Sequence, residues 1–193
     1  MARRDRDRSA TPLLDWGDQL RATKRRRQRV GRRIAITGFG IALLGLTIMF
    51  PPSPRLVWNA SASAPVGFYR VTSGAPIERH DMVIAWIPER FRRFAAERRY
   101  LPATVPLVKR VAALAGDEIC ALDGRIFVNG RPVAVRRDTD RQGRAMPIWS
   151  GCIRLHGRQL FLLMDNPASF DGRYFGATEA RAVIGKARLL WRR

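Results

Sequence analysis

The chain has 193 residues, with 36 Lys/Arg against 16 Asp/Glu for a formal charge of +20, and only two cysteines and two histidines. Cys120, Cys152, His80 and His156 show no ligand spacing, so a zinc centre is excluded and neither a metal nor a cofactor is expected. The charge suits an anionic partner, but the basic residues are dispersed and no helix-turn-helix, RNP or zinc-finger pattern occurs; a lipid surface accounts for them and nucleic acid is not expected as a partner.

Met1 to Arg33 carries 12 Lys/Arg and four Asp/Glu, a charge of +8. Ile34 to Phe50 then runs 17 residues without a charge. As a helix it would be about 25 Å long, near the short limit for a bilayer span. Pro51, Pro52 and Pro54 stop it, and Trp58 follows at an interfacial depth. The leader is too long and the exit too proline-rich for a cleaved signal peptide, so an uncleaved single-pass anchor is expected. The positive-inside rule puts the tail in the cytoplasm and everything after Pro51 across the membrane. Three parts result: a basic tail at 1–33, an anchor at 34–50 and an exported domain at 51–193.

The exported part reads as one mainly-β domain of antiparallel sheets. Short apolar or alternating runs recur at Gly67–Val71, Asp81–Ile87, Pro106–Leu114, Glu118–Leu122, Arg125–Val128, Arg131–Val135, Phe161–Met164 and Lys186–Trp191. Asp123-Gly124 and Asn129-Gly130 are strong hairpin signals, making 118–160 a hairpin-rich excursion. Pro88–Pro102 reads as a short surface helix or a mobile basic loop, and Arg136–Ala145 as a loop.

Lys109 stands out because only three of the basic residues are lysines. It lies in an apolar stretch that reads as a buried strand, where desolvation lowers an amine pKa. A lysine that loses its proton near neutral pH can deprotonate a serine, which arginine cannot do. The plain alternative is a lysine snorkelling from a strand edge. Ser61 and Ser63 lie just past the anchor; on an extended segment, residues two apart point to the same side. One could attack while the other donates to an oxyanion, or the segment is simply a post-membrane linker. A Ser-His-Asp triad would need His80 or His156, and both sit in loop contexts that suit solvated side chains. Cys120 and Cys152 lie beyond the anchor, where oxidising chemistry is available, and a disulfide would clamp the excursion at its base; two separate buried thiols are the alternative.

Ser61-x-Ser63 after a membrane helix, Lys109 in VKRVAALAGDEI and the segment FLLMDNPASFDGRYFG (Phe161–Gly176) together resemble the type I signal peptidases. These are membrane-bound serine-lysine endopeptidases of predominantly β fold. The N-x-S-x-S-x-P-x-G-x-Y and SFD-x-RYFG boxes are most similar to the conjugal-transfer branch of that family. The resemblance implies Ser63 as nucleophile, Lys109 as general base and Ser61 as an oxyanion donor. It further implies that Ser169 orients Lys109, that Asp171 and Arg173 form a supporting ion pair, and that Asp165 and Asn166 shape the turn. For Asp171 and Arg173 a structural role in a polar turn is an equal reading. Because Ser63-Ala64-Pro65 is one residue shorter than the usual S-M-x-P, Ser61 stays open as an alternative nucleophile. Two further departures are Met164 for the first glycine of G-D-N and Gly172 for the serine of D-S-R, which removes a hydroxyl near the ion pair.

The expected function is cleavage of exported precursors, pilin subunits above all, at the outer face of the bacterial inner membrane. The catalytic domain would be periplasmic, and ring closure by aminolysis is possible instead of hydrolysis. A general signal peptidase and a non-catalytic anchored assembly factor of a conjugation or secretion channel are the alternatives. Inner-membrane lipid and the precursor are the expected partners.

Overall fold

The computed structural model describes residues 12–50 and 54–192; Pro51, Pro52 and the tail before Pro12 lie outside them. The chain divides into two units, 1–52 and 53–193. Among the described residues the first is one helix, α1 (Pro12–Met49). It starts well before the apolar run, because the Arg-, Lys-, Gln- and Leu-rich stretch ahead of Ile34 is made of good helix formers. Gln19–Met49 is long and apolar enough to cross a membrane. Its Ile34, Phe39, Leu44 and Ile48 side chains are exposed, as befits a helix whose apolar surface is to be covered by lipid.

The second unit is built on two antiparallel sheets. Its strands are β1 (Leu56–Asn59), β2 (Gly67–Thr72), β3 (Met82–Ala85), β4 (Leu107–Leu114), β5 (Glu118–Leu122) and β6 (Arg125–Val128). They continue with β7 (Arg131–Val135), β8 (Gly151–Arg154), β9 (Gln159–Leu163), β10 (Thr178–Glu179) and β11 (Val183–Arg192). One sheet has the order β1-β2-β11-β3-β4-β9-β10 and the other β7-β6-β5-β8. Two helices accompany them, α2 (Glu89–Glu97) and the single turn α3 (Gly172–Phe175).

The 88–102 segment is thus helical in its middle. Phe91 and Ala95, one turn apart, face the apolar cluster of Val83, Leu107, Val111 and Phe175. The DG and NG signals form the expected hairpins: Asp123 and Gly124 have φ of 48° and 75°, Asn129 and Gly130 of 51° and 74°. Positive φ at both central residues matches the right-handed twist of the flanking strands. Strands β1, β8 and β10 are additional to the sequence reading. Each is four residues or fewer, and β1 is obscured by the prolines that precede it and by the interfacial reading of Trp58. That tryptophan packs edge-on to Phe68 at 4.7 Å between ring centroids.

A disulfide joins Cys120 of β5 to Cys152 of β8, residues directly opposite each other in register. It fastens the return strand β8 to the start of the hairpin excursion. A second apolar cluster, with Ile119, Ile126, Leu155 and Phe161, lies beside the smaller sheet. A third, with Ala64, Tyr69, Val108 and Met164, lies under the 59–66 turn. The first and third clusters hold the elements that carry the chemistry described next, with Leu107, Val111 and Phe175 in one and Ala64, Val108 and Met164 in the other.

Candidate active site

Ser61 and Ser63 sit in a tight turn between β1 and β2, not on the extended segment expected of them. Asn59, buried at the end of β1, makes the turn. Its Oδ1 accepts from the Ser61 N–H (3.1 Å), and its Nδ2 donates to the carbonyls of Ser61 (3.0 Å), Ala64 (3.2 Å) and Pro65 (3.1 Å). One short side chain thereby satisfies backbone groups that the turn takes out of the ladder. The Tyr69 hydroxyl donates to the Pro65 carbonyl (2.8 Å) and fixes the exit. The two serine hydroxyls still meet, at 2.9 Å, and the Ser63 N–H donates to Ser61 Oγ (3.3 Å).

Lys109 lies on β4, between β3 and β9, so it occupies a central strand and not an edge. Only 3% of the residue is exposed. Its Nζ donates to Ser63 Oγ at 2.9 Å and to Ser169 Oγ at 2.8 Å. Burial lowers the pKa of the amine to about 8; Asp171 acts to raise it and Arg173 to lower it. Because those two neighbours oppose each other, desolvation is left as the deciding effect.

The segment between β9 and α3 brings Ser169 to the amine. Asp171 and Arg173 are both buried and paired, Nε to Oδ1 at 2.8 Å and Nη2 to Oδ2 at 3.1 Å. Arg173 also donates to the carbonyls of Met164 (2.6 Å) and Pro167 (3.3 Å), while Asp171 accepts from the backbone N–H of Met164 and of Arg173. All three guanidinium nitrogens and both carboxylate oxygens have partners, and such satisfaction is what makes a buried ion pair tolerable. The pair braces the 164–173 loop, and with it Ser169. Asn166 closes the loop onto the serine turn through Nδ2 to the Ala62 carbonyl (3.1 Å). Asp165 instead turns outward to Arg110 (2.8 Å).

Gly172 has a steric explanation. A Cβ there would stand 2.6 Å from the Phe161 ring and 2.7 Å from the Leu162 carbonyl oxygen, so Phe161 fills the space that a serine would need. Asp171 still caps the turn of α3 without a hydroxyl beside it. Gly172→Ser should therefore destabilise the domain by about 1–3 kcal/mol, the usual cost of overpacking. Urea unfolding checks this, and an unchanged midpoint would show that the ring moves aside freely.

The serine turn, Lys109 and Ser169 line a cleft of about 880 Å³. Its far wall is made by the end of α2 and the 136–146 loop. Asp140 organises that loop: it accepts from the backbone N–H of Gln142 and Arg144, from the Arg144 guanidinium and from the Tyr100 hydroxyl. Asn59 and Asp140 are the site residues whose roles the sequence does not announce; the asparagine ahead of S-x-S and the D-x₃-R spacing were the available signals, while Asn166 is in the turn assigned to it and also reaches across to the serine turn. His80 and His156 are exposed and neither lines the cleft. The Cys120–Cys152 bridge belongs to the smaller sheet.

The chain matches the family described as "Signal peptidase, peptidase S26" over residues 28–192, and it belongs to that family. Its class is therefore that of a peptidase whose substrates are exported precursor proteins, and its apolar N-terminal helix suits a membrane anchor. Among its relatives are a conjugal transfer protein TraF of Agrobacterium fabrum and a plasmid transfer protein TraF of Escherichia coli. The first is 33% identical over 77% of this chain and 89% of its own length. The second is 33% identical over 81% of this chain and 93% of its own. A signal peptidase I from Enterococcus faecalis superposes with a TM-score of 0.35 at 19% identity, covering 60% of this chain and 98% of that one; so loose a match carries no argument.

Proposed function

We propose that the protein is a membrane-anchored serine endopeptidase of conjugative transfer that matures a pilin precursor through a Ser63–Lys109 dyad. The observation that carries the reading is a largely neutralisable amine, buried in a central strand, 2.9 Å from a serine hydroxyl at the cleft surface. Neutral Lys109 takes the Ser63 proton as Oγ attacks the scissile carbonyl. Ser169 Oγ accepts a hydrogen bond from Nζ–H and so directs the amine lone pair at Ser63. The Ser61 hydroxyl and the Ser63 N–H, which already meet, can turn to the developing oxyanion. Lys109 then returns the proton to the leaving amine. Water, or the amino terminus of the same chain, releases the acyl-enzyme; the first gives a linear product and the second a ring.

The relatives' transfer names favour a conjugation substrate over a general secretory one. The disulfide favours an exported domain, since such bridges persist in oxidising compartments. With the basic tail cytoplasmic, that domain faces the periplasm at the inner membrane. The test is incubation of the detergent-solubilised full chain with the pilin precursor, followed by mass spectrometry. A cyclic product is lighter than the linear one by one water. An intact precursor would reject the reading in favour of a non-catalytic assembly role.

The dyad also fixes the pH dependence. With a pKa of about 8, roughly a tenth of Lys109 is neutral at pH 7 and half at pH 8. The precursor kcat/KM should rise close to tenfold per unit up to about pH 7.5 and level off above about pH 9. A profile flat from pH 6 to pH 9, with chemistry shown to limit the rate, would exclude Lys109 as the base.

A further inference from the structure

The arginines on the far wall of the cleft fall into two sets. Arg98 and Arg144 fasten the wall: Arg98 donates to the Ala145 carbonyl (2.7 Å), and Arg144 pairs with Asp140 (2.7 Å) and donates to the Arg98 carbonyl (3.3 Å). Arg99, Arg137 and Arg141 line the same cleft, are exposed, and among the described residues their guanidinium groups have no hydrogen-bond or ion-pair partner. The Tyr100–Asp140 hydrogen bond brings the chain neighbours of two of them, Arg99 and Arg141, to one stretch of wall. The cleft carboxylates are engaged elsewhere, Asp140 by Arg144 and Glu97, at the surface, by Arg93.

Arg99 carries a second signal. It closes α2 with φ of 57°, a left-handed conformation that glycine or asparagine adopts at lower cost. An arginine in that position makes helix termination worse, so its presence points to work done by the side chain. A lipid surface is flat, whereas these groups face a groove that also contains the Ser63–Lys109 pair.

We infer that Arg99, Arg137 and Arg141 form a subsite for an acidic peptide, pairing with Asp or Glu side chains of the substrate chain beside the scissile bond. The inference rests on the peptidase reading for the identity of the ligand as a substrate. Guanidinium groups suit it because they stay charged and present a planar fork to a carboxylate. Partial enclosure by the cleft makes such pairs stronger than on an open surface.

The test uses the full chain in a zwitterionic detergent and two labelled, C-terminally amidated peptides. Both have an Ala-x-Ala core; one is flanked by Glu and the other by Gln at the same positions. Binding to the Ser63→Ala protein is read by fluorescence anisotropy. The Glu peptide should bind about fivefold or more tightly at low salt, with the ratio falling toward one near about 0.5 M salt. In the triple variant Arg99→Gly, Arg137→Gln, Arg141→Gln the preference should vanish, while the melting temperature stays level or rises, as glycine is suited to position 99. Equal binding of the two peptides overturns the inference. So does a preference that survives in the triple variant, which would belong to the basic tail. Cleavage is scored separately, with the intact protein and the pilin precursor: an arginine-dependent Glu preference with the precursor left uncut upholds the acidic-peptide subsite and rejects the peptidase reading.

Discussion

Lys109→Arg should lose precursor cleavage by at least about 10³-fold, as completely as Lys109→Ala. The substitution keeps a cation of similar reach but removes the base, because a guanidinium does not give up its proton in a protein. Its bulk also has to enter a site where Lys109 is almost wholly enclosed by neighbours, so loss of activity must be separated from loss of fold. Lys109→Met does this. It preserves most of the volume, removes the buried amine and leaves Ser169 without one partner. That variant should melt within a few degrees of the wild type and still be inactive. Turnover near normal in Lys109→Arg, measured by mass spectrometry of the precursor, would end the serine-lysine mechanism.

Ser63→Ala should reduce turnover on the order of 10⁴–10⁶-fold, and Ser61→Ala on the order of 10²–10³-fold. The asymmetry follows from the contacts. Lys109 Nζ reaches Ser63 Oγ directly, whereas Ser61 Oγ touches Ser63 through its hydroxyl and its backbone N–H. Ser61 is therefore placed to assist and Ser63 to attack. Both serines are on the surface of the cleft, so alanine at either position should leave the unfolding midpoint almost unchanged. Steady-state cleavage of the precursor by the two purified variants decides the matter. The opposite order of severity would transfer the nucleophile to Ser61.

Local pattern was enough for much of this protein. The uncharged run after Arg33, the alternating β segments and the DG and NG turns depend on nearest-neighbour chemistry, and the corresponding helix, strands and hairpins follow from it. Ser61, Ser63 and Lys109 were also legible as candidates, because a lysine in an apolar strand and two spaced hydroxyls are unusual in an arginine-rich chain, whereas Ser169 was implied only by the family resemblance. The roles given to them remain our proposal; their convergence on one amine is geometry.

What only the tertiary structure decided depends on partners distant in the chain. That Lys109 is on a central strand and not an edge is a matter of strand order, which no local signal encodes. The serine segment was expected to be extended, but a buried Asn59 gathers three carbonyls and bends it into a turn. Gly172 read as a lost hydroxyl, whereas the ring of Phe161 across α3 leaves no room for one. The arginine wall was invisible because it joins the end of α2 to a loop some forty residues on, through the Tyr100–Asp140 hydrogen bond and the contacts of Arg98 with Ala145 and of Arg144 with Arg98. Sequence by itself determined which groups are available and which elements they form, since those follow from composition and local backbone preference. Packing decided which groups lose water, which gain a partner and which face a common cleft, since desolvation and contact exist only once distant segments are brought together.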